Sequence, residues 1–193
     1  MKKLLFLLLF ALALVADESF VVHTVDNKDI HITVTDNGIK VAEYPDRVII
    51  LDFFGKNCPP CQIMIPRMIE LQRKMPDKVQ IIGMHVQEPL DMYDLKRFAE
   101  IGINYPVVDY LTNKDNQRFI LHIAQLVGWD GSIPFMLYFD RNGNYVKSHL
   151  GIASQEELAD DVTMYYLSVK PQEQNASQPA QPSKEPAEPS VLE

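Results

Sequence analysis

The chain has 193 residues, with 18 basic side chains against 26 acidic and a net charge of −8. This balance excludes the basic footprint of a nucleic-acid-binding protein, and with no run of either sign to mark a partner surface it describes a solvated acidic exterior. Once both ends are set aside, the length allows one ordinary domain with one core.

The chain opens "MKKLLFLLLFALALVA". A charged start at Lys2 and Lys3, an apolar stretch from Leu4 and small residues after it are the build of a secretory signal peptide over residues 1–16. The apolar run is shorter than the ~20 residues a membrane-spanning helix needs. Cleavage is expected after Ala13 or Ala16, the second leaving the longer apolar core. Neither site precedes a cysteine, so no lipid anchor is expected at the amino terminus. The Lys-Lys opening has a bacterial character, and the expected destination is the periplasm. Removing this segment leaves 16 basic residues against 26 acidic, a net charge of about −10.

The domain is expected over residues 19–170. "SFVVHTV" and "DIHITVT" are β-rich runs separated by "DNKD", a hairpin signal. A loop is expected next, with a turn at Asn37-Gly38. "RVIILDFF" follows, a continuous apolar run whose β-branching marks a buried central strand. A helix is predicted from Pro59 to about Met75, with Cys61, Ile65, Met68 and Leu71 on its buried face. "KVQIIGMHV" reads as another buried strand, "LDMYDLKRFAEIG" as a helix ending at Gly102, "YPVVDY" as a short strand and "NQRFILHIAQLVG" as a helix stopping at Gly128. "PFMLYFD" and "NYVKSHL", joined by "RNG", form the tightest hairpin signal. The last helix starts at Ser154, where "SQEE" has the pattern of a capping box, and ends before Pro171. Strands alternating with helices and then a closing hairpin predict an α/β fold: an N-terminal β-hairpin, then a mixed central sheet with helices on both faces.

Both cysteines of the chain lie in "FFGKNCPPCQIMIP", as Cys58 and Cys61. A staple, half of a metal site and a redox centre are the three readings. A disulfide across two intervening residues closes almost no loop and so constrains the unfolded chain little. A zinc site needs four ligands; there is no second Cys-x-x-Cys, and the five histidines (23, 31, 85, 122, 149) are scattered singly. Redox chemistry fits best. A thiol reacts as thiolate, and at an ordinary pKa of ~8.5 only about 3% is ionised at pH 7. At the start of a helix, unpaired N–H groups and the dipole stabilise the anion. Pro59 and Pro60 suit that first turn and add no competing N–H. Cys58 is then the exposed attacking sulfur, and Cys61, less than one turn on, the more buried thiol that resolves the mixed disulfide.

"ILDFFGKNCPPCQIMIP" resembles the active-site segment of the thioredoxin superfamily. Together with "GINYPVVD", "SIPFMLYFDRNGNYVKSHLG" and "SQEEL" it is similar to the periplasmic TlpA-like branch, which includes the reductases of cytochrome c maturation. The resemblance spans about residues 45–165 and implies a thioredoxin fold. It also implies that Pro134 is a cis-proline packing beside the disulfide, with the backbone of Ile133 pairing to an extended substrate, and that Pro66 sets helix geometry. Asp52 matches the buried acid of thioredoxins. An Asp inside "VIILDFF" is costly unless used; burial would raise its pKa and fit it to take the proton from Cys61. The alternative places Asp52 facing solvent at the strand end. Three positions depart from the pattern: Asn57 stands where a Trp usually precedes the first cysteine, Met64 where TlpA-like proteins often carry Glu, and Asp52 where they often carry Asn. The sole tryptophan, Trp129, either lines the groove or packs beside it.

Residues 171–193 hold five prolines and almost nothing apolar, so they are expected to be a disordered tail. Within it "EQNAS" offers Asn175 as an Asn-x-Ser glycosylation acceptor. The sequence thus predicts a periplasmic thiol–disulfide oxidoreductase working on exported thiol or disulfide proteins. Its expected direction is reductant, with electrons from a membrane thiol-transfer protein, no bound cofactor or metal, and a monomeric state. The rival readings are a disulfide-introducing oxidase and a non-catalytic, chaperone-like peptide-binding module.

Overall fold

A computed structural model describes residues 17–168. The expected signal peptide over residues 1–16, its cleavage site, the expected tail over residues 171–193 and Asn175 fall outside the described residues. Three antiparallel strands come first: β1 (Glu18–His23), β2 (Asp29–Thr35) and β3 (Gly38–Val41), paired in the order β1-β2-β3. The expected hairpin is β1–β2. The predicted loop after it is instead a third strand. The chain turns at Asp36–Asn37, and Ile39 and Val41 then alternate inward from β3. Long-range contacts hold that strand: Ile39 donates its N–H to Gly143 O (2.8 Å) and Tyr145 to Asn37 O (2.7 Å). The approach is so close that a Cβ on Gly38 would lie 2.1 Å from the Gly143 carbonyl oxygen, so this position admits only glycine.

The main sheet is built from β4 (Val48–Phe54), β5 (Val79–His85), β6 (Val107–Asp109), β7 (Phe135–Phe139) and β8 (Tyr145–Leu150), in the order β6-β5-β4-β7-β8. β4, β5 and β6 run parallel, while β7 and β8 are antiparallel to their neighbours. Helices α1 (Pro59–Lys74), α2 (Met92–Glu100), α3 (Lys114–Val127) and α4 (Gln155–Leu167) complete the fold. β4 is central and buried at all seven positions, as a continuous apolar run between two covered faces should be. Its side chains alternate: Ile49, Leu51 and Phe53 join the core under α3 and the three-stranded sheet, while Val48, Ile50 and Phe54 join the core under α1 and α4. Asp52 falls, by the same alternation, on the α1 side.

Helix ends follow local chemistry. Ser154 Oγ accepts the Glu157 N–H (3.1 Å) to start α4, half of the expected capping box. The complete reciprocal box is on α2, between Asp91 and Asp94. α3 stops at Gly128, as the sequence predicts.

Candidate active site

The segment from Phe54 to Cys61 leaves the carboxyl end of β4 and enters α1. Cys58 is the N-cap of α1, in extended backbone, with Pro59 and Pro60 in the first turn. Cys58 and Cys61 are joined in a disulfide, with S–S 2.04 Å and Cα–Cα 5.2 Å. The Cys61 N–H points at Cys58 Sγ (3.2 Å), the place of an N-cap oxygen in an ordinary helix. α1 has no acid in its first turn and carries Arg73 and Lys74 in its last, so nothing in the helix opposes negative charge at Cys58. When the disulfide opens, that N–H and the helix end favour thiolate on Cys58 over thiolate on Cys61.

The two sulfurs differ in access. Cys61 is fully enclosed and Cys58 is 5% exposed. The order is the expected one, but Cys58 is far less exposed than the sequence suggests. The reason is the loop before β7: the Ile133 carbonyl oxygen lies 4.0 Å from Cys58 Sγ, and the Ile133–Pro134 peptide bond is cis. Pro134 O in turn accepts the Gly151 N–H (2.8 Å) from the end of β8. Trp129 packs against Phe53 (4.7 Å between ring centroids), stacks on Phe135 and donates its indole N–H to Ser132 O (2.8 Å). These contacts are the packing expected of it, and they brace the loop that carries Ile133; the ring is half-buried.

Asp52 is 1% exposed, which rules out the solvent-facing alternative. It pairs in register with Gly83 of β5 and Met136 of β7, on the side of the sheet where Cys61 also lies. Neither carboxylate oxygen has a hydrogen-bond partner. Burial with no compensating donor pushes its pKa up to about 7. Such a group exchanges a proton readily at neutral pH, unlike an ordinary carboxylate.

The departures from the resemblance have structural uses. Met64 is buried, and its sulfur accepts the Ala153 N–H (3.3 Å), while Arg67 Nη1 donates to the Ala153 carbonyl. These two contacts tie α1 to the segment entering α4. Asn57 donates its backbone N–H to Gln87 Oε1 (2.8 Å) and its side chain reaches Glu88 Oε2 (3.4 Å). Behind this loop lie His85, in sequence one of five singly scattered histidines, and Gln87 and Asp109, which no motif marks. Two of them close buried strands, His85 in "VQIIGMH", which also carries the buried polar Gln80, and Asp109 in "VVD". Among the described residues no group of three or more His, Cys, Asp or Glu side chains converges as metal ligands would.

A thioredoxin-like family model matches residues 46–145, which carry β4, both cysteines and the cis-proline loop. The thiol-disulfide oxidoreductase ResA of Geobacillus thermodenitrificans is 28% identical over 134 residues, covering 68% of this chain and 68% of that protein. The thioredoxin of Rickettsia prowazekii is 35% identical over 102 residues, covering 50% of this chain and 91% of its own. Among solved structures, a thiol:disulfide interchange protein of the thioredoxin family from Chlorobium tepidum superposes with a TM-score of 0.59 at 26% identity, covering 77% of this chain and 93% of that one. With the Cys58–Cys61 pair at the start of α1, these likenesses establish that the chain belongs to the thioredoxin-like family, in its TlpA-like branch, and is a thiol–disulfide oxidoreductase.

Proposed function

We propose that the protein reduces disulfides of exported proteins in the periplasm, using Cys58 as the attacking sulfur. The observation that carries this reading is the Cys58 position: an N-cap sulfur receiving the Cys61 N–H, beside the Ile133 carbonyl. Cys58 thiolate attacks one sulfur of a substrate disulfide, and the other substrate sulfur leaves as thiolate. Cys61 gives its proton to the Asp52 carboxylate and attacks Cys58 Sγ. The Cys58–Cys61 disulfide forms and the second substrate sulfur departs, so the substrate has gained two electrons. The backbone of Ile133, ahead of Pro134, pairs with the extended substrate segment. A membrane thiol-transfer protein returns the two electrons to the Cys58–Cys61 pair. Apocytochromes awaiting haem attachment are the substrate class that the TlpA-like resemblance favours.

Direction is tested by the reduction potential of the Cys58–Cys61 couple, equilibrated against glutathione and dithiothreitol and read by Trp129 fluorescence. A value near that of thioredoxin, about −270 mV, or lower supports the reductant. A value near −120 mV reverses the direction and makes the protein an oxidase of exported thiols.

A further inference from the structure

The three residues before Cys58 are held from behind by β5 and the loop after it. The Lys56 N–H donates to His85 Nε2 (3.3 Å), and the Asn57 N–H to Gln87 Oε1 (2.8 Å). Lys56 Nζ reaches Pro89 O (2.9 Å) and Asp94 (2.6 Å). The Gln87 side chain lies directly over Gly55, where a Cβ would come within 2.2 Å of it. No side chain is tolerated there without expelling Gln87.

His85 has a defined state in this arrangement. A backbone N–H only donates, so Nε2 faces Lys56 with its lone pair and the ring proton sits on Nδ1. Nδ1 is directed at Asp109 Oδ1 (3.3 Å), and both side chains are fully enclosed. Asp109 Oδ2 is fixed by the Leu90 N–H (3.0 Å), and the Phe54 ring meets the imidazole edge-on. Asp109, His85 and the Lys56 amide thus form one directed chain ending two residues before the reactive sulfur.

We propose that His85 and Gln87 are positioning residues for the thiol–disulfide reaction, holding the Gly55–Asn57 segment so that Cys58 stays on the α1 N-cap once its bond to Cys61 is broken. In the oxidised protein the disulfide itself keeps Cys58 in place. In the dithiol that bond is gone. The Cys58 carbonyl still accepts the Gln62 N–H (3.1 Å), and the held Gly55–Asn57 segment fixes the chain that leads into it, so Cys58 keeps the Cys61 N–H and the helix end while it remains capped. The clamp therefore stabilises the reduced form more than the oxidised one. Losing it makes the couple harder to reduce and raises the Cys58 thiol pKa.

The test compares four full-chain variants, His85→Leu, His85→Gln, Gln87→Ala and Gln87→Glu, by reduction potential, Cys58 thiolate titration and melting temperature. His85→Leu removes the acceptor for Lys56, while His85→Gln keeps an amide oxygen near the Nε2 position. Gln87→Ala alters a half-buried loop residue and retains the fold even if His85→Leu does not. The expected result in His85→Leu and Gln87→Ala is a change of about fivefold in the equilibrium constant, about 20 mV toward more negative potential. A raised Cys58 pKa should accompany it, with partial return in His85→Gln. Gln87→Glu keeps the acceptor for the Asn57 N–H but adds a carboxylate that itself holds the thiol pKa up, so its return is read in melting temperature. Folded variants that lose melting temperature while potential and thiol pKa stay at the parent values would show a purely structural contact and overturn the proposal. The proposal rests on Cys58 being the attacking sulfur. Trapping with single-cysteine variants decides that separately, so the two failures are distinguishable.

Discussion

Asp52 on β4 and Asp109 on β6 are both 1% exposed in one sheet, yet the protein treats them oppositely. Burial raises the pKa of Asp109 as well, but bonds from the His85 ring and the Leu90 N–H outweigh it and hold the carboxyl below its usual range. Asp52 receives no donor at all, and burial alone lifts it to about 7. Depth in the core therefore does not set the charge of a carboxyl; the donors within reach do. The paired acid orients a histidine behind the reactive loop, and the unpaired one is left able to trade a proton on the side of Cys61.

This contrast can be broken or sharpened experimentally, and the largest effect should be on stability. The folded pKa of Asp52 lies above its unfolded value of 3.8. The folded state therefore binds the Asp52 proton more tightly, and stability from this group, full below pH 4, is lost as pH rises through 7. The shift corresponds to about 4 kcal/mol as an upper estimate. Asp52→Asn should recover up to that amount at pH 8 and almost nothing at pH 3, as read by urea unfolding at both pH values. Asp109 should behave in the opposite sense. Its stabilisation is present above the ordinary carboxylate range and fades as pH falls through its lowered pKa. Asp109→Leu should cost about 2 kcal/mol at pH 7, because it leaves the buried His85 ring N–H without an acceptor.

The kinetic counterpart is next in size. The rate of Cys61 attack on a Cys58 mixed disulfide should fall as pH drops through about 7, where Asp52 becomes protonated. Asp52→Asn should slow that step about a hundredfold at pH 7.5 and flatten the profile, as seen by stopped-flow decay of a preformed mixed disulfide. An unchanged profile would assign the proton to another group.

The smallest effect concerns the ground beside Asp52. Gly83, opposite Asp52 in the sheet, leaves space that the Phe54 and Tyr105 rings fill; a Cβ there would lie 3.0 Å and 3.2 Å from them. The Tyr105 hydroxyl is also buried without a partner; burial raises its pKa, and the Asp52 charge adds to the rise. Gly83→Ala should cost about 1 kcal/mol by overpacking and should displace the Asp52 titration, as read by thermal melts at pH 5 and pH 8.

Much of this was legible in the sequence, because the informative signals are local. A polar residue inside "VIILDFF" has to be explained by burial or by use, and cysteines three apart after a central strand fall on a helix start. What escaped was non-local. β3 exists because the Gly143 turn reaches back to Gly38 and Ile39 across more than a hundred residues. His85 and Asp109 looked like isolated polar residues until parallel pairing of β5 with β6 placed them opposite each other. Met64 reads as a missing Glu in the sequence; only the fold shows its sulfur taking the Ala153 N–H. The near-complete cover over Cys58 likewise depends on a loop 75 residues away.

The central claim is the division of labour between the sulfurs, and single-cysteine trapping tests it most directly. Cys61→Ser and Cys58→Ser variants, both reduced, are mixed with a disulfide-bonded protein substrate, and adducts are resolved on a non-reducing gel with mass confirmation. The account predicts a stable mixed disulfide through Cys58 in Cys61→Ser and no adduct in Cys58→Ser. An adduct formed through Cys61 in Cys58→Ser, at a rate matching or exceeding that of the other variant, would contradict it.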